Sequence, residues 1–306
     1  MPESWSSEKC VPGLTILQPG PLATVQDLGR PGFAGIGLPR SGAADRGSLR
    51  FANRLLGNEE DTAGVEVTGG GFSARACGDL TIAVTGAPCP VTIDGTVRTM
   101  NSPLDLPAGS TLCLGPPEAG IRTYLAVAGG ISTPPVLGSR ATDLLSDLGP
   151  GPLRSGTELT VGPPSTAPPP RLSTPLAVPD TGTLTLRVIP GPRHEWFEET
   201  ALKTLLNEPY TVTSEISRIG IRLDGTALPR VERGEMRGEG MVPGALQVPP
   251  SGRPTLFLAD HPVISAYPVI AVVVSSDVDA AAQARPGQKL RFALMTPERD
   301  IRTSVH

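Results

Sequence analysis

Residues 80–94 read LTIAVTGAPCPVTID. Two short runs, LTIAVT at 80–85 and PVTID at 90–94, are β-branched or apolar and are bounded by Gly, Pro or Asp. That is strand, punctuation, strand. The same style recurs at 14–17, 111–115 and 121–128, and again at 183–189, 209–213, 245–248, 255–259, 269–274 and 288–294. Gly (36) and Pro (35) are abundant among the 306 residues, with no Gly-X-Y period. Both residues disfavour helix interiors, which argues against a helical bundle, and a mainly β fold is expected. With 39% hydrophobic residues and a net charge of −4, the chain is not disordered as a whole.

Three helices are expected. One runs from about Ala44 to Leu56 and stops at Gly57-Asn58. A second spans about Arg193–Leu206. A third covers about Asp277–Ala284, with Ser276 as its N-cap. Between the halves lies PPSTAPPPRLSTPLAVP, residues 163–179, with seven prolines in 17 positions. This composition forms a stiff linker that buries little. The expected domains are 1–162 and 183–306, joined by a linker at 163–182. The halves also repeat weakly. Pro19-Gly20-Pro21 returns as Pro190-Gly191-Pro192, LTIAVTGA at 80–87 as PTLFLADH at 254–261, and PAGSTLCLG at 107–115 as RPGQKLRFA at 285–293.

Bulk charge argues against nucleic acid or an acidic membrane as the main partner. Of 26 basic residues only Lys9, Lys203 and Lys289 are lysine. That bias reflects either base composition or a use for bidentate guanidinium forks. Cys10, Cys77, Cys89 and Cys113 form no C-x-x-C pair. With no signal pattern and no long apolar run, a cytoplasmic location with reduced thiols is expected. Phosphate-loop, nucleophile-elbow and dinucleotide fingerprints are all missing. No metal site is expected, since the histidines are only His194, His261 and His306.

The polar segments left over carry the candidate chemistry. Arg40 and Ser41 lead into the first helix, whose amides could hold an anion; Ser41 or Asp45 could equally be a plain helix cap. Arg46, Arg50 and Arg54 share one helix face, which is either solvated or faces an anion. In the second half, Glu239, Gln247 and Asp260 sit at strand edges where a barrel mouth would gather them. Asp260 reads as a turn former or a site carboxylate, and His261 as a general base or a loop residue beside Pro262.

These segments carry a family resemblance. QDLGRPGF at 26–33, LPRSGAAD at 38–45, YLAVAGGI at 124–131, LGSRATD at 137–143, SRIGIRLDG at 217–225 and EGMVPGALQVPPSGRP at 239–254 resemble allophanate hydrolase subunit 2. This family is also called the biotin-dependent carboxyltransferase family, and it includes the C-type subunits of 5-oxoprolinase. The resemblance runs through almost the whole chain in order. It implies two tandem cyclophilin-like β-barrels with a few short helices. It also implies a subunit 1-like partner, the B-type subunit of 5-oxoprolinase, and a third, lactam-handling subunit in some systems. The activity implied is ATP-dependent opening of pyroglutamate by the complex. The alternatives are carboxyl transfer in a urea carboxylase or allophanate hydrolase system, which would bring in biotin, and a non-catalytic regulator. In the leading reading, Glu239 and Asp260 are the proton-transfer candidates. Arg40, Arg218 and the amides at the start of the first helix suit an anion, Ser41 and Asp45 are further substrate-binding candidates, and Gln247 and Tyr267 orient the substrate. The family's Thr-Gly-Gly-Tyr-Pro stands here as Ile264-Ser265-Ala266-Tyr267-Pro268, which predicts less backbone freedom at that turn.

Overall fold

The computed structural model describes residues 11–165 and 178–295. Among the described residues the fold is mainly β with three α-helices. In the first half, β1 (Gly13–Pro19), β2 (Leu22–Gln26), α1 (Arg46–Leu55), β3 (Gly64–Thr68), β4 (Phe72–Cys77) and β5 (Leu80–Gly86) come first. They are followed by β6 (Val91–Ile93), β7 (Thr96–Arg98), β8 (Pro103–Leu106), β9 (Thr111–Leu114), β10 (Arg122–Val127) and β11 (Glu158–Thr160). The strands lie in two antiparallel sheets, ordered β11-β1-β4-β9-β6-β7 and β2-β3-β10-β5-β8. Inward residues of both sheets, among them Ile16, Phe72 and Leu112 of one and Val25, Val65, Ile82 and Leu125 of the other, share one core. Alternation along each strand delivers these side chains to the same face.

The second half holds β12 (Leu184–Pro190), α2 (Glu199–Asn207), β13 (Tyr210–Ile216), β14 (Gly220–Asp224) and β15 (Glu239–Gly240). After these come β16 (Ala245–Gln247), β17 (Thr255–Phe257), β18 (Ile264–Ser265), β19 (Val269–Val273), α3 (Ser275–Ala282) and β20 (Lys289–Leu294). Seven of these strands close into a barrel in the order β12-β19-β16-β17-β14-β13-β20. Closure removes exposed sheet edges. β12 and β20 pair in parallel, and β15 and β18 form a separate two-stranded ribbon. Leu186, Tyr210, Leu246, Leu256 and Phe292 fill the barrel, with Ala201 and Leu205 of α2 and Ala281 and Ala282 of α3 packed on it. Ala44, from the first half, belongs to the same cluster.

Every strand read from sequence is present. Both Pro-Gly-Pro repeats mark the end of a strand, β1 at Pro19 and β12 at Pro190. The strands without a sequence signal include β2, β3 and β14. β2 and β3 bury polar residues, with Gln26 and Glu66 at or below 1% exposure, so their polar–apolar alternation does not mark an exposed face.

Helix ends differ from the expectation. α1 starts at Arg46, with Asp45 rather than Ser41 as its cap: the Asp45 carboxylate accepts from the Ser48 amide at 2.9 Å. The second helix breaks in two, with a short 3-10 turn at His194–Trp196 before α2. The break falls where Phe197 bridges to Arg230 and the Glu198 amide donates to the Pro229 carbonyl. The third begins at Ser275 behind Val274, which offers no side-chain cap. Ser276 instead accepts from Arg187 and donates to Asp277. Part of the expected linker, 166–177, lies outside the described residues, as do Cys10 and His306.

Candidate functional site

Two segments of the first half cross at Gly29 and Gly42. A Cβ on Gly29 would lie 2.3 Å from the Arg40 carbonyl oxygen, and one on Gly42 would lie 2.6 Å from the Gly29 nitrogen. Both have positive φ (81° and 87°), so glycine is required on steric and conformational grounds. Asp27 ties the crossing to the 137–143 segment. Its carboxylate accepts from the Gly29 amide (2.7 Å), the Ser139 hydroxyl (2.7 Å) and the Arg140 amide (2.6 Å). At the crossing Ser41 is buried at φ 54°, an uncommon conformation for a non-glycine residue.

Ser41 donates to Asp260 of the second half at 2.6 Å. Asp260 also accepts two bonds from Arg218, both at 2.9 Å, and one from the Leu144 amide at 3.2 Å. The third nitrogen of the Arg218 fork donates to Glu66 at 2.5 Å and its Nη2 also reaches the Gly42 carbonyl at 2.6 Å. Glu66 in turn accepts from the Ala44 amide (2.9 Å) and the Tyr124 hydroxyl (2.8 Å). Arg218, Asp260 and Glu66 are each at or below 1% exposure. Burial alone would raise the Glu66 carboxyl, but Arg218 and Arg122 outweigh it and hold it below the usual carboxylate range. Burial would likewise lower Arg218, and Glu66 and Asp260 together raise it instead.

The junction continues around the start of α1. Asp45 accepts from Gln283 at 2.7 Å and from the Ser48 hydroxyl at 2.6 Å. Asp279 of α3 accepts from the Arg46 and Gly47 amides at 3.1 and 2.9 Å. Burial, then the Asp279 charge, pushes Asp45 up to about 6. The amides at the start of α1, expected to hold an anion, are thus met by carboxylates of the protein itself. His261 lies beside this region. Its Nδ1 is 2.9 Å from the Pro262 carbonyl, and burial lowers its pKa.

Ser41, Asp45, Arg218 and Asp260 therefore meet, but inside a closed joint between the halves. The other four candidates lie elsewhere. Gln247 and Tyr267 line an open cleft of about 1060 Å³ on the barrel, together with Ser217, Ile219 and Phe257. The Gln247 Nε2 donates to the Ser265 hydroxyl (2.6 Å) and the Tyr267 carbonyl (3.1 Å). A main-chain carbonyl only accepts, so the amide orientation is determined, and Oε1 is left to accept a bond from a ligand. Ser265, where the resemblance implies glycine, supplies one of these two anchors. Neither Ser265 nor Ala266 has positive φ, so the side chains impose no backbone strain there. Arg222 and Arg253 line the cleft too, paired with Glu215 at 3.1 Å and Asp224 at 3.3 Å. Glu239 sits on the β15–β18 ribbon opposite Ser265 and is paired with Arg193. That hydrogen-bonded ion pair holds its carboxyl low. Arg40 lines a second cleft, in the first half.

The junction residues missed by sequence reasoning are Glu66, Arg122, Tyr124, Asp279 and Gln283. Glu66 had a signal, a charged residue within a Val-Glu-Val run. Asp279 and Gln283 had none beyond their place on a helix.

The family model that matches describes a carboxyltransferase domain, subdomain A and B, over residues 36–294. The chain is 33% identical to the C-type subunit of 5-oxoprolinase from Escherichia coli, over 94% of this chain and 93% of that protein. It is 31% identical to the C-type 5-oxoprolinase subunit of Haemophilus influenzae, over 91% and 90%. The crystal structure of the urea amidolyase of Kluyveromyces lactis superposes with a TM-score of 0.88 at 27% identity, covering 96% of this chain and 19% of that one.

Proposed function

Since the chain belongs to the carboxyltransferase family of the subdomain A and B type, we propose that it is the C-type subunit of an ATP-dependent 5-oxoprolinase. In this reading it acts with a subunit 1-like partner, and in some systems a third, lactam-handling subunit. The observation that carries the proposal is the match to the C-type 5-oxoprolinase subunits, which runs through nearly the whole of both chains.

The barrel cleft suits the substrate. The oriented Gln247 Oε1 can accept the lactam N–H, which an ester or thioester could not offer. Arg222 and Arg253 are exposed, in ion pairs that contribute little at a surface. Either can exchange its carboxylate partner for that of pyroglutamate, with bidentate geometry available. Tyr267 and Phe257 supply the flat wall for the ring. Amide resonance makes the lactam carbonyl a poor electrophile. Transfer of the ATP γ-phosphoryl group to its oxygen removes that resistance; water then adds to the carbon, the ring nitrogen departs with a proton to leave an acyl phosphate, and a second water attacks that carbonyl as phosphate leaves. Of the two carboxylates expected to move protons, Asp260 has both oxygens engaged in the joint. Glu239, partly exposed, remains the candidate.

The test is to co-purify the chain with its partner subunits and measure pyroglutamate-dependent ATP hydrolysis. Turnover is expected, and Gln247→Leu should lower kcat/KM by about ten- to a hundredfold through loss of the lactam contact. Urea-dependent carboxyl transfer from carboxybiotin, without pyroglutamate turnover, would replace this reading with the carboxyltransferase one that the likeness to urea amidolyase favours. Neither activity in an intact complex would leave the regulator.

A further inference from the structure

The second cleft, about 560 Å³ in the first half, differs from the barrel cleft in how its charges are arranged. In the barrel cleft Arg222 and Arg253 are neutralised by Glu215 and Asp224. In the second cleft two guanidinium groups and three carboxylates line the walls; Asp27 is engaged by the Gly29 amide, the Ser139 hydroxyl and the Arg140 amide, and of Arg40, Arg140, Glu59 and Asp61 none pairs with another. Arg40 spends its Nε on the Leu28 carbonyl at 3.0 Å, and Arg140 its Nε on the Thr133 carbonyl at 2.8 Å. These bonds fix both forks from behind and leave the Nη atoms without a partner among the described residues. The Glu59 and Asp61 carboxylates accept no hydrogen bond and form no ion pair among the described residues; the neighbouring Glu60 is the one that meets Arg50 and Arg54.

A lone exposed charge needs no partner, because water screens it. Four unpartnered charges of both signs in one concave space are different. A concave wall focuses the field, and a self-neutralising cleft would have closed the pairs, as the barrel cleft does. Here the unlike charges stay apart, with room between them. Gly138, two residues before Arg140 and with φ 80°, has open space where a Cβ would stand, so the wall beside the fork is bare backbone.

From this geometry we infer that the second cleft is a binding site for a free α-amino acid. Its carboxylate bridges Arg40 and Arg140, and its ammonium lies toward Glu59 and Asp61. Two anchored forks match a carboxylate bidentately. A plain anion such as phosphate would meet the forks but be repelled by the two carboxylates. The site is separate from the barrel cleft and does not depend on which reaction the chain serves.

Isothermal titration of the full chain with L-glutamate, glutarate and inorganic phosphate tests this. Glutarate keeps both carboxylates of glutamate and lacks the ammonium. Saturable binding is expected, with L-glutamate tightest. Arg40→Gln and Arg140→Gln should each weaken it about tenfold, the effect of losing one charge-assisted bond. The double variant Glu59→Gln, Asp61→Asn should erase the preference for L-glutamate over glutarate. Its two side chains hold no structural bond, so it keeps the test decisive even where an arginine variant folds poorly. Absence of saturable binding, phosphate binding as tightly as L-glutamate, or a double variant that keeps the preference would each overturn the proposal.

Discussion

The arginine bias resolves at the level of single residues. Arg30, Arg122 and Arg218 are among the largest fully buried side chains, and each donates to main-chain carbonyls. Arg30 reaches Val136 and Ala141, Arg122 reaches Ala282 and Ser217, and Arg218 reaches Gly42. A five-donor planar fork can satisfy several acceptors at once where an ammonium cannot. Arg218→Met should therefore cost about 3–5 kcal/mol, because Glu66 and Asp260 stay buried without their counter-charge; guanidinium unfolding measures it. Asp45 carries the opposite sign. Its folded pKa of about 6 lies above the ordinary 3.8, so between these values the folded chain binds the proton that the unfolded chain releases. This carboxyl's contribution to stability thus falls as pH rises from 3.8 to about 6, and the penalty is complete above that. Glu66, held below its ordinary 4.5, contributes stability that is present above that value and lost as pH falls through its folded pKa. Asp279→Asn removes one of the causes that raise Asp45. Urea unfolding between about pH 4 and pH 7 should show a shallower decline in the variant than in the parent chain.

At the scale of elements, α3 does more than cover the barrel. Asp279 reaches the first turn of α1, and Gln283 at the helix end reaches the start of β10. The Gln283 Oε1 accepts from the Ile121 and Arg122 amides, while its Nε2 donates to Asp45 and the Arg122 carbonyl. Gln283→Ala should lower stability by about 2–4 kcal/mol, as buried donors lose their acceptor. A guanidinium melt would check this, and a loss under about 0.5 kcal/mol, the ordinary surface range, would show that water replaces the side chain there. The elements legible in sequence were runs of β-branched or apolar residues, such as β5 and β19. β3 and β14 were not legible, because they present Glu66 and follow Arg218 into a polar joint.

For the whole molecule, the division at 163–182 remains a proposal about domains, and the joint bears directly on it. The halves share Arg218–Glu66, Ser41–Asp260 and Gln283–Asp45, all buried. A protease site placed within 166–177 should, after cleavage, leave two pieces that co-elute in gel filtration. The piece from 178 onward, produced alone, should unfold at lower denaturant than the cleaved pair, because Arg218 and Asp260 lose partners that only the first half provides. Separate elution with unchanged stability would mean that the halves fold independently. No helix among the described residues is long and apolar enough to cross a membrane.

Local sequence determined the β-rich character, most strand positions, the first helix and the ordered motifs of the family, since these rest on residue patterns within about ten or twenty positions. Ser41 and Asp260 were visible as candidates, but not as partners 219 positions apart. Tertiary structure decided that they close a joint while Gln247 faces a cleft, and that Arg40 lies with Arg140, Glu59 and Asp61. Burial and charge pairing depend on which distant segments meet, and chain folding sets that rather than local spacing.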